Sequence, residues 1–210
     1  MRISSDGLPF ILPLALASTV VASIGWPLPA TLLVVLTVAV AAFFRDPDRA
    51  SDAPAGAVLS PADGRVLDAG LIADGRVRVV IFLSLFDVHV ARSPVPGELI
   101  ECVRRPGGYA AAFRDEASRN ARVEMRIRTP QGILYVGLMA GLVARRVLPW
   151  VSAPATLRRG QRVAIIRFGS RSEIETPRGY VPAVRAGDTV RAGQTVIALL
   201  SKPRQDERYE

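Results

Sequence analysis

The chain has 210 residues, 27 of them basic and 19 acidic, for a net charge of +8. Its single cysteine (Cys102) and single histidine (His89) exclude an intrachain disulfide and a Cys/His-rich zinc site. The only lysine, Lys202, lies in a polar C-terminal tail and makes pyridoxal phosphate or other lysine Schiff-base chemistry a poor fit.

The charge is unevenly spread. Between Asp6 and Arg45 lie 38 residues without a charge, and the whole +8 sits on the 166 residues that follow position 44. As one helix the uncharged stretch would run about 57 Å at 1.5 Å per residue, against a hydrocarbon core of about 30 Å. Gly25-Trp26-Pro27-Leu28-Pro29 supplies a break, because proline removes backbone donors and tryptophan suits an interface. Two apolar helices over residues 8–25 and 30–44 are therefore predicted, forming a hairpin that makes residues 1–44 a membrane anchor. Both polar flanks then lie on one side, and Arg45 and Arg49 favour the cytoplasmic face of the cell membrane. A signal peptide is the alternative, but the apolar run is too long and no small-residue cleavage site precedes Arg45.

Residues 45–210 read as one β-rich domain. The β-branched and apolar run over residues 77–86 predicts a buried strand. Residues 123–128 alternate with period two, Pro130-Gln131-Gly132 turns the chain, and residues 133–142 return as a second strand. Residues 163–168 predict another strand, and residues 107–120 are the best helix candidate in this half. Two internal echoes occur: Ala62-Asp-Gly-Arg-Val66 recurs as Ala73-Asp-Gly-Arg-Val77, and Arg185-Ala-Gly-Asp-Thr-Val190 is followed by Arg191-Ala-Gly-Gln-Thr-Val196. The second echo sets tight turns six residues apart, as in the β-sandwich of biotinyl and lipoyl carriers, yet no lysine stands at a hairpin tip. The expected fold is mainly β with some α, a β-sandwich or barrel-sandwich-like domain behind a transmembrane helical hairpin.

His89, in Leu83-Ser-Leu-Phe-Asp-Val-His89, is the candidate general base, although a buried structural histidine has the same sequence signature. Asp87 lies two residues away, placed either to orient the imidazole or to cap the strand. Asp63 and Asp74 both sit in Ala-Asp-Gly turns, and local chemistry does not choose between them. Gly169-Ser170 follows an apolar strand and alone says little. The pairs Arg104-Arg105, Arg145-Arg146 and Arg158-Arg159 suit solvated faces, or, beside an anchor, anionic membrane lipids at about 1 kcal/mol per charge.

Taken together, Phe43-Phe-Arg-Asp-Pro47, Ser60-Pro-Ala-Asp-Gly-Arg-Val66, Leu83-Ser-Leu-Phe-Asp-Val-His89 with Ser93-Pro94, and Phe168-Gly-Ser-Arg171 resemble the phosphatidylserine decarboxylase family, in its short, archaeal-type branch. The resemblance covers nearly all of residues 43–200. It implies a phospholipid-synthesising lyase that converts phosphatidylserine to phosphatidylethanolamine with a pyruvoyl group made from Ser170. Decarboxylating an α-amino acid needs an electron sink, and a pyruvoyl carbonyl serves where no pyridoxal lysine exists. The implied maturation is a cut between Gly169 and Ser170, by N-to-O acyl shift, elimination and hydrolysis, giving a β chain of 1–169 and an α chain of 170–210.

By the same resemblance His89 activates Ser170 and Asp63 orients His89 in triad fashion. Arg92 stands where longer members have a second histidine, and Arg171 replaces a threonine after the Gly-Ser pair. Both arginines are candidate substrate ligands, Arg171 for a phosphate or carboxylate. No metal and no nucleic acid is expected, and a homo-oligomer is compatible with the sequence. Two other readings use the same residues: a membrane-anchored serine hydrolase with Ser170, His89 and Asp63 that does not cut itself, and a non-catalytic β-sandwich adaptor.

Overall fold

The uncharged stretch does form two helices, α1 (Leu8–Ser23) and α2 (Pro27–Phe43). Helix α1 starts where the sequence predicts and ends two residues earlier, while α2 starts three residues earlier and ends one residue earlier. Helix α2 starts earlier because Pro27 occupies its first position, where a missing N–H costs nothing and the fixed φ is already helical. Gly25, with φ of +79°, ends the first helix. The computed structural model describes residues 2–108, 120–141, 146–167 and 170–201, with Ser170 described by its backbone. The predicted helix over 107–120 lies almost wholly outside them, as do Arg145, Phe168 and Gly169.

The described chain divides into two compact units. The first comprises Met1–Asp48 with Leu85–His89. Its helices meet through small side chains, including the buried Ser18 and Ala30, which let backbones approach closely. The hydroxyls there are satisfied inside their own helices, Ser18 Oγ donating to the Ala15 carbonyl (2.7 Å) and Thr31 Oγ1 to that of Pro27 (2.9 Å). Leu12, Leu16, Leu28, Leu32 and Val38 face outward. Residues 5–23 are long and apolar enough to cross a membrane. Below the helices, β1 (Arg2–Ile3) pairs antiparallel with β2 (Arg45–Asp46), closing the base of the hairpin.

The second unit, Arg49–Ser84 with Val90–Glu210, is built of strands. In chain order these are β3 (Val58–Leu59), β4 (Gly64–Leu71), β5 (Arg76–Leu83), β6 (Val90–Arg92), β7 (Gly97–Arg105), β8 (Arg122–Thr129), β9 (Gly132–Ala140), β10 (Val147–Pro149), β11 (Ala155–Leu157), β12 (Arg162–Ile166), β13 (Ser170–Arg178), β14 (Tyr180–Pro182), β15 (Thr189–Val190) and β16 (Val196–Leu200). Eight form one antiparallel sheet in the order β11-β7-β8-β9-β13-β5-β4-β15, and two three-stranded sheets, β10-β12-β6 and β14-β16-β3, complete the unit.

Alternation decides which face is inside. Val123, Met125 and Ile127 of β8 are buried while Arg126 and Arg128 are exposed, and Ile81, Ser172, Leu138 and Val123 lie in one cross-strand row. All three sheets contribute to a single core, with Ile81, Leu99, Leu134 and Leu138 from the large sheet, Ile166 from β12 and Ile197 from β16. Each such side chain contributes about 1.5–3 kcal/mol by leaving water.

Strand β5 stops at Leu83, three residues short of the sequence expectation, and Leu85–His89 belongs to the first unit. The two echoes part company in structure. Asp74 is an exposed turn residue whose carboxylate accepts from the backbone N–H (3.1 Å) and Nε (2.6 Å) of Arg76. The Arg-Ala-Gly echo is a true structural repeat, with Gly187 and Gly193 at φ of +97° and +69° and their N–H groups donating to the carbonyls of Val66 and Ser60.

Candidate functional site

Four aromatic rings run in series through the first unit. Phe10 stacks on Phe44 (centroids 5.7 Å apart), Phe44 meets Phe43 edge-on (5.1 Å), and Phe43 lies against the imidazole of His89 (4.1 Å). Phe44 is wholly buried, and a Cβ on Gly7 would come within 2.6 Å of its ring. The single histidine is therefore packed on the end of helix α2. Its Nδ1 lies 2.9 Å from the main-chain oxygen of Asp87. A carbonyl can only accept, so Nδ1 carries the hydrogen and the lone pair of the neutral ring is on Nε2. Asp87 orients the imidazole, as the sequence allowed, through its backbone carbonyl. Arg45, the first charge after the apolar run, donates to the carbonyls of Phe86 and Ala42 and so ties this turn to the helix end.

In the second unit Asp63 is buried and held from three directions. Arg49 grips both of its carboxylate oxygens, with Nη2 2.7 Å from Oδ2, and the N–H of Ala192 donates to Oδ1 at 2.8 Å. Arg49 also donates to the Ala192 carbonyl (2.9 Å). Gly64, the next residue, has φ of +143°, and a Cβ there would fall 2.0 Å from the Phe82 carbonyl oxygen. Only glycine lets Asp63 approach the sheet this closely.

Arg92, also buried, ends β6 with its backbone N–H on the Pro61 carbonyl (2.9 Å) and its Nη1 on that of Gly160 (3.0 Å). It lies in an open groove of about 670 Å³ with Arg49, Arg158, Arg159 and Arg162, and no acidic side chain is among the described residues lining it. Of the predicted arginine pairs, Arg158-Arg159 belongs to this groove, while Arg104, Arg105 and Arg146 line another of about 210 Å³.

Ser170 is the first residue of β13, paired with Leu83 on one side and Ala140 on the other. Arg171 follows in register between Phe82 and Met139; it is buried, and its Nε has no hydrogen-bond partner among the described residues. On the same face, β13 continues with Glu173, which pairs with Arg78, and Glu175, which pairs with Arg76. Burial pushes the Tyr135 hydroxyl up to about 12, assisted by the neighbouring Glu124 carboxylate. Burial would raise Glu124 as well, but hydrogen bonds from Arg122 and Arg105 outweigh it and hold its carboxyl below the usual range.

Asp63, Arg49 and Arg92 are thus brought together in the second unit, Ser170 and Arg171 open one strand of it, and His89 belongs to the first unit. Sequence reading named Arg49 and Phe43 but missed their contacts with Asp63 and His89. Phe43 stood in the Phe-Phe-Arg-Asp-Pro block, and its place at the end of an apolar helix gave no sign that it packs on the histidine.

A family model described as phosphatidylserine decarboxylase matches residues 36–198. The chain is 42% identical, over 93% of its own length and 95% of the relative's, to a phosphatidylserine decarboxylase proenzyme of Solidesulfovibrio magneticus. It is 40% identical to another from Aromatoleum aromaticum, covering 94% of this chain and 95% of that one. A candidate archaetidylserine decarboxylase proenzyme of Methanosarcina mazei is 35% identical, over 96% of this chain and 87% of the relative.

Proposed function

The chain belongs to the phosphatidylserine decarboxylase family, and from that premise we propose that it is a proenzyme that cuts itself between Gly169 and Ser170 and then converts phosphatidylserine to phosphatidylethanolamine. The domains of this reading are an anchor over 1–44 and a catalytic domain over 45–210, the latter divided by the cut into a β chain of 1–169 and an α chain of 170–210.

The observation that carries the assignment of the base is the His89–Asp87 hydrogen bond, which fixes Nε2 as the basic nitrogen of the chain's only imidazole. In self-processing Nε2 takes the Ser170 hydroxyl proton as Oγ attacks the Gly169 carbonyl carbon. The C–N bond then breaks, the proton passes to the departing nitrogen, and an ester joins the two halves. A base takes the Cα proton of residue 170 as the Gly169 carboxylate leaves Cβ, and water hydrolyses the imine form of the resulting dehydroalanine, releasing ammonia and leaving the keto group. The strand pairing supports this division of labour. Ser170 lies opposite Leu83, six residues before His89, and Ile165 lies opposite Val90, the residue after it. Asp63 has the role of stabilising the charged imidazole. Its ties to Arg49 and Ala192 fix it in place, while the Asp87 carbonyl sets the ring's tautomer.

A pyruvoyl group is no larger than the serine it replaces and needs a chain end held still at position 170. Ser170 meets that need, since its backbone is paired with a strand on each side. When present, the group supplies the electron sink for the pair left on Cα as CO2 departs. His89 is assigned the return of a proton to that carbon. Arg171, with a buried and unsatisfied Nε, and Arg92 suit the anionic groups of the serine headgroup. That headgroup is shared by phosphatidylserine and archaetidylserine, so these residues read the headgroup and not the lipid backbone. The arginine groove suits anionic membrane lipids, and Arg45 and Arg49, which follow the apolar run in sequence, favour a catalytic domain facing the cytoplasm.

Intact mass measurement of the purified protein tests the proposal. Two fragments, 1–169 and 170–210, are expected, the second lacking an α-amino group and reacting with hydroxylamine, while Ser170→Ala stays one chain. An uncut wild-type chain, or a cut elsewhere, overturns the mechanism.

A further inference from the structure

The turn that follows β5 presents its two largest apolar side chains outward, Leu85 being 51% and Phe86 87% exposed. They are not filling space in the first unit, whose interior is occupied by Phe43 and Phe44. The same turn is fixed to the end of helix α2, because the Arg45 guanidinium donates to the Phe86 carbonyl while also capping the helix at Ala42. Arg45 ends the 38-residue run without charge, and a cation at that position marks the level where hydrocarbon gives way to headgroups. The Phe86 backbone is therefore held at that level, with a phenyl ring and an isobutyl group projecting from it. Apolar and aromatic side chains beside a cation at the end of a membrane helix have the chemistry of an interfacial contact.

We propose that the Leu85-Phe86 turn is a second membrane contact, seating both side chains among the lipids of the bilayer that holds the hairpin. The occupant is lipid and not a second copy of the chain, because Arg45 ties the turn to the end of α2, a helix whose own Leu32, Val35 and Val38 also face outward. The contact places His89, three residues on, at headgroup depth by three ties: the ring of Phe43, the Arg45 bond and the lipid itself. This rests on the hairpin being in the bilayer, and it is independent of the reaction assigned to the protein.

The test uses full-length protein with Trp26→Phe, Trp150→Phe and Phe86→Trp, reconstituted into vesicles of phosphatidylcholine and phosphatidylglycerol with brominated acyl chains. The expected result is a blue-shifted emission with loss of intensity, greater for bromines near the headgroup end than near the methyl end. Protein keeping only native Trp26, at the hairpin tip, reports separately on insertion of the anchor. A water-like emission with no loss beyond unbrominated vesicles overturns the proposal. So does a blue shift without bromine quenching that grows with protein-to-lipid ratio, which would mark a second copy as the occupant. A nitroxide on Phe86→Cys in a Cys102→Ser background gives an independent reading. Collisions with oxygen should exceed those with a water-soluble nickel chelate, and the reverse order overturns the contact.

Discussion

Replacing Arg49 by methionine isolates what the buried Asp63 needs. The two side chains are only 7% and 11% exposed, so solvent screens their attraction little. Methionine keeps much of the packing volume but leaves the Asp63 carboxylate with one of its three described hydrogen bonds, that from the Ala192 N–H. Removing one member of a buried ion pair costs about 3–5 kcal/mol. For a chain of about this size each kcal/mol moves the melting temperature by about 2–4 °C, so a fall of about 6–20 °C is expected. The measurement is thermal unfolding in detergent, made on a Ser170→Ala background so that every sample is a single uncut chain. Asp63→Asn alone leaves the buried Arg49 charge unpaired, with the Ala192 carbonyl still accepting from it, and should cost a comparable amount. The double variant should lose less than the sum of the two, with a coupling of at least about 1 kcal/mol. Melting within about 2 °C of the parent for Arg49→Met, or strict additivity in the double variant, would refute the idea that Arg49 holds Asp63 in place.

Four further outcomes follow. Gly64→Ala needs φ of +143° and a Cβ 2.0 Å from a carbonyl oxygen, so it should yield little folded protein and no fragments on a gel, whereas Gly70→Ala, with nothing within 4 Å, should cut normally. Burial raises the Cys102 thiol above its ordinary value, so the native protein should react with iodoacetamide at pH 8.5 well below the rate of the unfolded chain. Tyr135 is raised to about 12 in the folded state against 10.0 when free, so the native state holds its proton longer than the unfolded one. Stability should therefore fall as pH rises from about 10 towards 12, and Tyr135→Phe should flatten that fall in denaturant titrations. Phe43→Leu removes the ring packed on His89 and should slow self-cleavage, measured as fragment yield against time; Phe43→Tyr keeps the ring and should restore most of the rate.

The parts of the fold that were legible in the sequence are those encoded by near neighbours. Period-two alternation at residues 123–128 marked β8, the charge-free run marked the helices, and the Arg-Ala-Gly echo marked two equivalent turns. The over-extension of β5 to residue 86 has a specific cause. Leu85 and Phe86 are as apolar as a buried strand, but their hydrophobicity faces outward, and composition does not distinguish an apolar side chain facing a core from one facing outward. The site was less legible because its contacts are distant in sequence. Asp63 and Asp74 share the same local pentapeptide, and what separates them is Arg49, 14 residues away, and Ala192, 129 residues away.

His89 is the residue for which this distinction matters most. Local sequence placed it at the end of the buried strand predicted over residues 77–86. In the structure it packs with the hairpin, its ring on Phe43 and its turn tied to Arg45. The apolar helices then have a role beyond the anchoring proposed for them, since the final residue of α2 forms one wall of the imidazole's surroundings. A chain truncated to begin at Arg45 keeps every candidate catalytic residue, Ser170, His89 and Asp63, yet loses Phe43, Phe44 and Phe10 together. If the anchor served only for localisation, that truncated protein would cut itself at the full-length rate in solution. Because His89 takes its packing from helix α2, cleavage should instead be strongly slowed, and the same deficit should appear in full-length protein carrying Phe43→Ala, in which the membrane anchor is intact.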